Sequence, residues 1–187
     1  AWTPGHGHEA LRRGRWSVSG AEYFVTLCTH DRKPGLTEPS TLSGALAEMQ
    51  RLGKEEVWRL HAAVVMPDHV HLLVAVGEST DLAGAVRLFK RRLTPLLRKS
   101  GLRWQQAYFD HRMRTAEDRL PVLLYIYLNP YRAGLLSQDE RWPGCYTNRP
   151  MKIHCHCEER SDEAIQLDRH GALRAPRDDN SVKGKGD

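Results

Sequence analysis

No apolar run in these 187 residues approaches the roughly 20 residues needed to cross a bilayer as a helix. The opening stretch, AWTPGHGHEALRRGRW, has no apolar signal core, so nothing in it directs export. Cysteine is scarce. Of the four, Cys28, Cys145, Cys155 and Cys157, two fall in a polar tail, which excludes a disulfide framework and makes a reducing cytoplasm the expected compartment. Negative charge is in deficit: 28 Lys and Arg face 23 Asp and Glu, a formal charge of +5. That balance favours an anionic partner, either nucleic acid or an anionic membrane surface. There is no internal repeat.

What is present suits one domain with a real core, since 40% of the residues are apolar. The chain divides into a basic arm over residues 1–20, a body over 21–148 and a polar segment over 149–187. The last has too few apolar residues to offset its ordering entropy and reads as a disordered tail. Within the body, AEYFVTLCT (21–29) is aromatic and β-branched, a strand. STLSGALAEMQRLGKEEVWRL (40–60) has helical spacing behind Ser/Thr caps. HAAVVM (61–66) and HVHLLVAV (69–76) read as strands joined at a Pro67–Asp68 turn. A helix is expected over 79–101, capped at Ser79 or Thr80 and stopped at Gly101. A strand follows over AYFDHRMRT (107–115). A last helix opens on a Thr115/Asp118 capping box and ends near Asn129, because Pro130 disfavours continuation. The order β, α, β, β, α, β, α predicts an α+β fold, an antiparallel sheet with helices on one face.

His69 and His71 stand out in VVMPDHVHLLVAV (64–76). Side chains alternate along a strand, so both imidazoles point to one face while Val70 and Leu72 point to the other. Desolvating imidazole among apolar neighbours is costly without a partner. A pair of this spacing can share one metal ion and leave room for a third ligand. The common His-x-His hydrolases lack their remaining parts here: Leu73 stands where a β-lactamase-type site carries Asp, Leu73 and Val74 follow where a histidine-triad site wants another His, and no His-x-Thr or His-x-Ser is present.

Suitable companions lie in LLYIYLNPYRAGLL (123–136). Tyr125 and Asn129 are four residues apart and share a helix face. Asn supplies a hard amide oxygen, suited to Mg²⁺ or Mn²⁺ beside imidazole. Tyr supplies a phenolic oxygen able to attack phosphorus. Tyr127 lies about 200° around the helix from Tyr125. Tyr127 and Tyr131 read more simply as packing residues.

MPDHVHLLV followed by YIYLNPYRAGLL resembles the REP-associated tyrosine transposases, a branch of the single-tyrosine transposases whose signature is His, a hydrophobic residue, His. LRRGRWSVSGAEYFVTLCTHDRKPGL and WQQAYFDHRMRTAEDRL are similar to the same pattern, and the resemblance spans about Leu11 to Trp142. It implies a ferredoxin-like sheet and a transposase domain over 21–148. It implies His69 and His71 as metal ligands and Asn129 as a third, amide-bearing ligand, where many relatives carry Gln. Tyr125 is implied as the nucleophile that takes a 5′ phosphate and frees a 3′ hydroxyl. The implied cofactor is a divalent ion, Mg²⁺ or Mn²⁺. The implied substrate is single-stranded DNA folded into repetitive palindromic hairpins, met at the nucleoid of a bacterial cytoplasm, with no membrane partner. Monomer and homodimer both stay open. The base for the Tyr125 proton stays open too, among water, the metal field and a histidine such as His111.

Cations for DNA are expected in LRRGRW, through Arg12, Arg13 and Arg15, and on the second helix, where Arg87, Lys90, Arg91 and Arg98 crowd roughly one side. Arg112 and Arg114, alternating on the fourth strand with Met113, face either the DNA or the acidic Glu117 and Asp118. In the tail, His154, Cys155, His156 and Cys157 are consecutive and lack the loops a tetrahedral zinc module uses between ligand pairs. That stretch looks instead like translated intergenic repeat. Two other readings survive: a non-catalytic hairpin-binding protein, and a metal-dependent hydrolase that attacks with water.

Overall fold

The apolar runs of the sequence become the inner strands of a five-stranded antiparallel sheet. The computed structural model describes residues 20–114, 119–137 and 139–148. The elements are β1 (Glu22–Cys28), α1 (Pro39–Lys54), β2 (Trp58–Val65), β3 (His69–Val76), α2 (Leu82–Lys99), β4 (Phe109–Arg112), α3 (Leu120–Arg132) and β5 (Cys145–Thr147). The sheet order is β4-β1-β3-β2-β5. Its first four strands, joined as β-α-β-β-α-β, make the ferredoxin-like arrangement. The arm residues Arg12, Arg13 and Arg15, the Thr115/Asp118 capping box and the tail lie outside the described residues.

Strand alternation sorts the core into two. Val70, Leu72, Val74 and Val76 pack with Val25, Leu27 and the apolar faces of α1 and α2, through residues such as Met49, Leu52, Phe89 and Leu93. The other face carries Phe24, Ala62, Val64 and Leu73, covered by Val122 and Ile126 of α3. The α+β class and the antiparallel sheet are as the sequence implies, and two helices share one face. The expectation of helices on one face only is extended by α3, which covers the second. Its Val122 and Ile126, four residues apart, form the stripe that can dock there.

Three boundaries differ from the sequence reading. α1 stops at Lys54 rather than running to Leu60: Val57 N–H donates to Leu52 O (3.0 Å), Glu56 N–H to Gly53 O (3.2 Å), and Glu56 adopts φ 56°. This is a Schellman closure, and it releases Trp58 to begin β2. The cap of α2 is Asp81, whose carboxylate accepts from Gly84 N–H at 2.6 Å, rather than Ser79 or Thr80. α3 runs through Pro130 to Arg132. Pro130 is buried, and another Schellman closure ends the helix: Leu135 N–H donates to Pro130 O and Gly134 N–H to Tyr131 O, both at 3.0 Å, with Gly134 at φ 66°. β5 went unread because three residues give no periodicity. It pairs with the outer edge of β2, and the Trp142 indole donates to Val65 O at 2.8 Å beside it.

Candidate active site

β3 is the central strand, and its register with β1 fixes what surrounds the histidines. Cys28 sits opposite His69 and Thr26 opposite His71, with Phe24 opposite Leu73. Cross-strand partners share a face. Phe24 and Thr26 therefore stand beside the imidazoles. The turn carrying Asp68 is held from the chain just beyond β1. Thr29 N–H and Oγ1 both donate to Asp68 O, at 2.9 and 3.0 Å, and Gly35 and Leu36 N–H donate to Pro67 O.

The two rings converge. His69 Nε2 and His71 Nε2 lie 3.1 Å apart. His69 Nδ1 meets Asp68 Oδ1 at 2.6 Å. A carboxylate only accepts, so Nδ1 carries the proton and Nε2 presents a lone pair. His71 Nδ1 meets Thr26 Oγ1 at 2.9 Å. A hydroxyl donates or accepts, so Thr26 can leave His71 Nε2 free to ligate. Two nitrogen ligands at right angles, each ~2.1 Å from an ion, are about 3.0 Å apart. The spacing of the pair therefore fits a shared metal, and Asp68 and Thr26 are the supporting partners such ligands need.

Electrostatics favour the ligating form. His71 is 2% exposed. Burial, then His69 and Arg32, pushes its pKa well below the usual 6.5. Burial also lowers His69, opposed by its bond to Asp68. Both rings are neutral at pH 7 and need lose no proton to bind a cation. Arg32 closes the outer side: Nε pairs with Asp68 Oδ2 at 2.8 Å, Nη1 donates to Cys28 Sγ at 2.8 Å, and Nη2 lies 3.4 Å from His69 Nδ1. Asp31 and Arg32 both adopt φ 55°, a costly conformation for non-glycine residues that gathers where function requires it.

α3 lays Tyr125 against the pair. Its ring centroid is 5.2 Å from that of His71 and 5.8 Å from that of Phe24, while Phe24 stacks on His71 at 5.3 Å. Asn129, one turn on, acts on the phenol through its side chain and favours its deprotonated form. Burial raises the phenol above its usual pKa of 10, with Asn129, Arg132 and Arg32 pulling the other way. Tyr127 turns elsewhere and stacks on Tyr131 at 5.9 Å. Tyr131 in turn donates to Glu140 O at 2.7 Å.

The structure thus brings His69, His71 and Tyr125 together, with Asn129 one helical turn on from Tyr125. It does not bring the expected DNA cations to them. Arg87 and Arg91 are exposed on α2, whose core contacts are with the opposite face of the sheet. Lys90 is engaged internally, donating to Gln105 O at 2.7 Å and lying 5.7 Å from the Tyr108 ring centroid. Arg112 pairs across from Tyr23, which belongs to the α1/α2 core, so it too points away from the histidines. Arg114 is exposed just past β4. His111, opposite Phe24, is on the histidine face. Sequence reading missed Thr26, Phe24, Asp68 as a partner, and Arg32. Only Asp68 had a signal, its place directly before His69; the others depend on register.

A family model described as "Transposase IS200 like" matches residues 17–117, more than half of the chain. A REP-associated tyrosine transposase of Escherichia coli (strain K12) is 28% identical over 132 residues, covering 69% of this chain and 78% of that protein. A relative in Haemophilus influenzae, also assigned by name to the REP-associated tyrosine transposases, is 27% identical over 161 residues, covering 76% of this chain and 88% of its own. A solved structure of a REP-associated tyrosine transposase bound to a REP hairpin shares the fold, with TM-score 0.59 and 24% identity over 70% of this chain and 79% of that one.

Proposed function

This chain belongs to the IS200-like transposase family, enzymes acting on DNA, and on that premise we propose that it cuts and rejoins single-stranded DNA at palindromic hairpins through a covalent 5′-phosphotyrosine at Tyr125. The observation that carries this reading is the convergence of the two Nε2 atoms at 3.1 Å with the Tyr125 ring 5.2 Å from His71. The hairpin substrate is supported by the likeness to REP-associated tyrosine transposases.

His69 and His71 would hold a divalent ion, Mg²⁺ or Mn²⁺. The Asn129 amide, one helical turn on from Tyr125, would supply the third protein ligand. When bound, such an ion polarises the scissile phosphate and spreads its developing charge. Asp68 and Thr26 keep the imidazoles oriented, and Phe24 with Tyr125 keeps bulk water off His71. The Tyr125 oxygen forms a bond to phosphorus as the bond from phosphorus to the 3′ oxygen breaks. The phenolic proton is lost and the departing oxygen ends as a 3′ hydroxyl. The phosphotyrosine is an ester like the one broken, so the reverse attack by a 3′ hydroxyl rejoins DNA without ATP. Asn129 helps by opposing the burial that otherwise keeps the phenol protonated.

The test is an adduct assay. Wild type, Tyr125→Phe and Tyr127→Phe proteins are mixed with labelled single-stranded hairpins and Mn²⁺ or Mg²⁺, then run on a denaturing gel. Label retained by wild type and Tyr127→Phe but lost from Tyr125→Phe is expected, with DNA binding kept within a few-fold. Cleavage without any adduct would make water the nucleophile and end the phosphotyrosine reading. Binding without cleavage in any protein would leave a hairpin-binding protein.

A further inference from the structure

A second feature lies at the same end of the sheet as the histidines. A cleft of about 750 Å³ is lined by His30, Arg32, Lys33, Arg98 and Arg103, with Asp31 its one acidic residue. These cations come from two separate segments, the loop after β1 and the chain leaving α2. The segments are tied together: His30 N–H donates to Arg103 O at 2.8 Å, Thr29 bridges Trp104, and the Lys33 ammonium donates to Gly101 O at 3.1 Å. The rims are therefore fixed before any ligand arrives.

Two basic groups of this cleft are paired, His30 with Asp31 at 2.7 Å and Arg32 with Asp68 at 2.8 Å. Arg103 Nη2 lies 3.1 Å from both ring nitrogens of His30, within reach to donate to that ring. Among the described residues, no carboxylate pairs with Lys33, Arg98 or Arg103, whereas Arg92 on the same helix as Arg98 binds both Glu48 and Glu55. Arg98 and Arg103 are exposed. Concentrating positive charge in a concave, pre-set cleft raises the local potential and suits a polyanion. Arg32 lines this cleft and also holds Asp68 and touches His69. One side chain thus joins the cleft to the candidate metal pair.

We propose that this cleft is the phosphate track for the unpaired strand that continues from the scissile phosphate, with Arg98 and Arg103 contacting its backbone. The proposal rests on the reading of the site as a single-strand nuclease and adds which surface receives the strand. Of the cations expected on α2 it keeps Arg98, in the last turn, sets aside Arg87, Lys90 and Arg91, and adds Arg103 from the following loop. Backbone contacts of this kind hold a strand without reading its bases.

The test uses the full chain in EDTA, so that nothing is cut, and two labelled DNA probes: a hairpin stem alone, and the same stem with a short unpaired extension. Wild type, the double variant Arg98→Gln/Arg103→Gln and the charge-keeping Arg98→Lys/Arg103→Lys are titrated at several salt concentrations. Each single-strand phosphate contact contributes about 0.7 to the slope of log K against log salt. The Gln pair is expected to lower the slope by roughly 1.4 for the extended probe and to weaken binding several-fold. It should leave the stem-only probe unchanged, and the Lys pair should retain the wild-type slope. Thermal melts of both variants verify folding. An unchanged slope and affinity on the extended probe would overturn the track even if Tyr125 forms its adduct. Equal losses on both probes would assign the cleft to the stem and overturn the track as well. No binding of either probe by wild type would sink the underlying function along with it.

Discussion

For His69 to ligate through Nε2 its proton must sit on Nδ1, and Asp68, at 2.6 Å from Nδ1, favours that tautomer. The same carboxylate takes Arg32 at 2.8 Å. Asp68→Asn removes the charge that fixes this tautomer while keeping the shape. It is expected to weaken Mn²⁺ affinity by roughly 10- to 100-fold, checked by calorimetric titration of the metal without DNA. An unchanged affinity would mean that Asp68 does not orient a ligand. Tyr125 and Tyr127 make the same point in the opposite direction. Chemically alike and two positions apart, they differ because one meets His71 and the other meets Tyr131.

Among the elements, α3 has the most exacting task, since its phase and its end decide where Tyr125 and Asn129 sit. It ends on Gly134, at φ 66°, with no atom within 4 Å of a Cβ placed there. Gly134→Ala therefore meets no clash and reports the backbone conformation alone. It is expected to cost about 1 kcal/mol, read as a lower midpoint in urea with an unchanged slope. A neutral result would show that the closure is not maintained in solution. Gly77 differs in kind: a Cβ there would collide with the Glu56 carbonyl, so the close approach of β3's end to the α1–β2 turn is what calls for glycine.

For the whole molecule, the burial of two imidazoles has a consequence for stability. The folded pKa of His71 is well below 6.5 and that of His69 is also lowered, burial leading in both. Above about 6.5 both states are neutral at these rings, and the fold keeps its full stability. As pH falls below that, the unfolded chain binds protons that the folded chain refuses, so stability declines toward the depressed folded values. Urea melts in metal-free buffer should show a lower midpoint at about pH 5.5 than at about pH 7.5. His71→Phe should flatten the difference. A midpoint that holds or rises on acidification would contradict the burial of neutral imidazole.

The sequence by itself determined a good deal. Alternation in HVHLLVAV put both histidines on one strand face, and the four-residue spacing put Tyr125 and Asn129 on one helix face; both follow from local periodicity, and both hold. The antiparallel α+β order followed from the short Pro67–Asp68 turn and the alternation of element types. Only tertiary structure decided what faces what. That Thr26 supports His71 depends on the β1–β3 register, and that Arg32 reaches Asp68 depends on a left-handed loop. That α3 crosses to the histidine face, while Arg87 and Arg91 of α2 lie away from it, depends on which apolar stripe docks on which side of the sheet. Periodicity tells a residue's side within its own element. It carries no information about which element comes to lie against that side, because that choice is made by long-range packing.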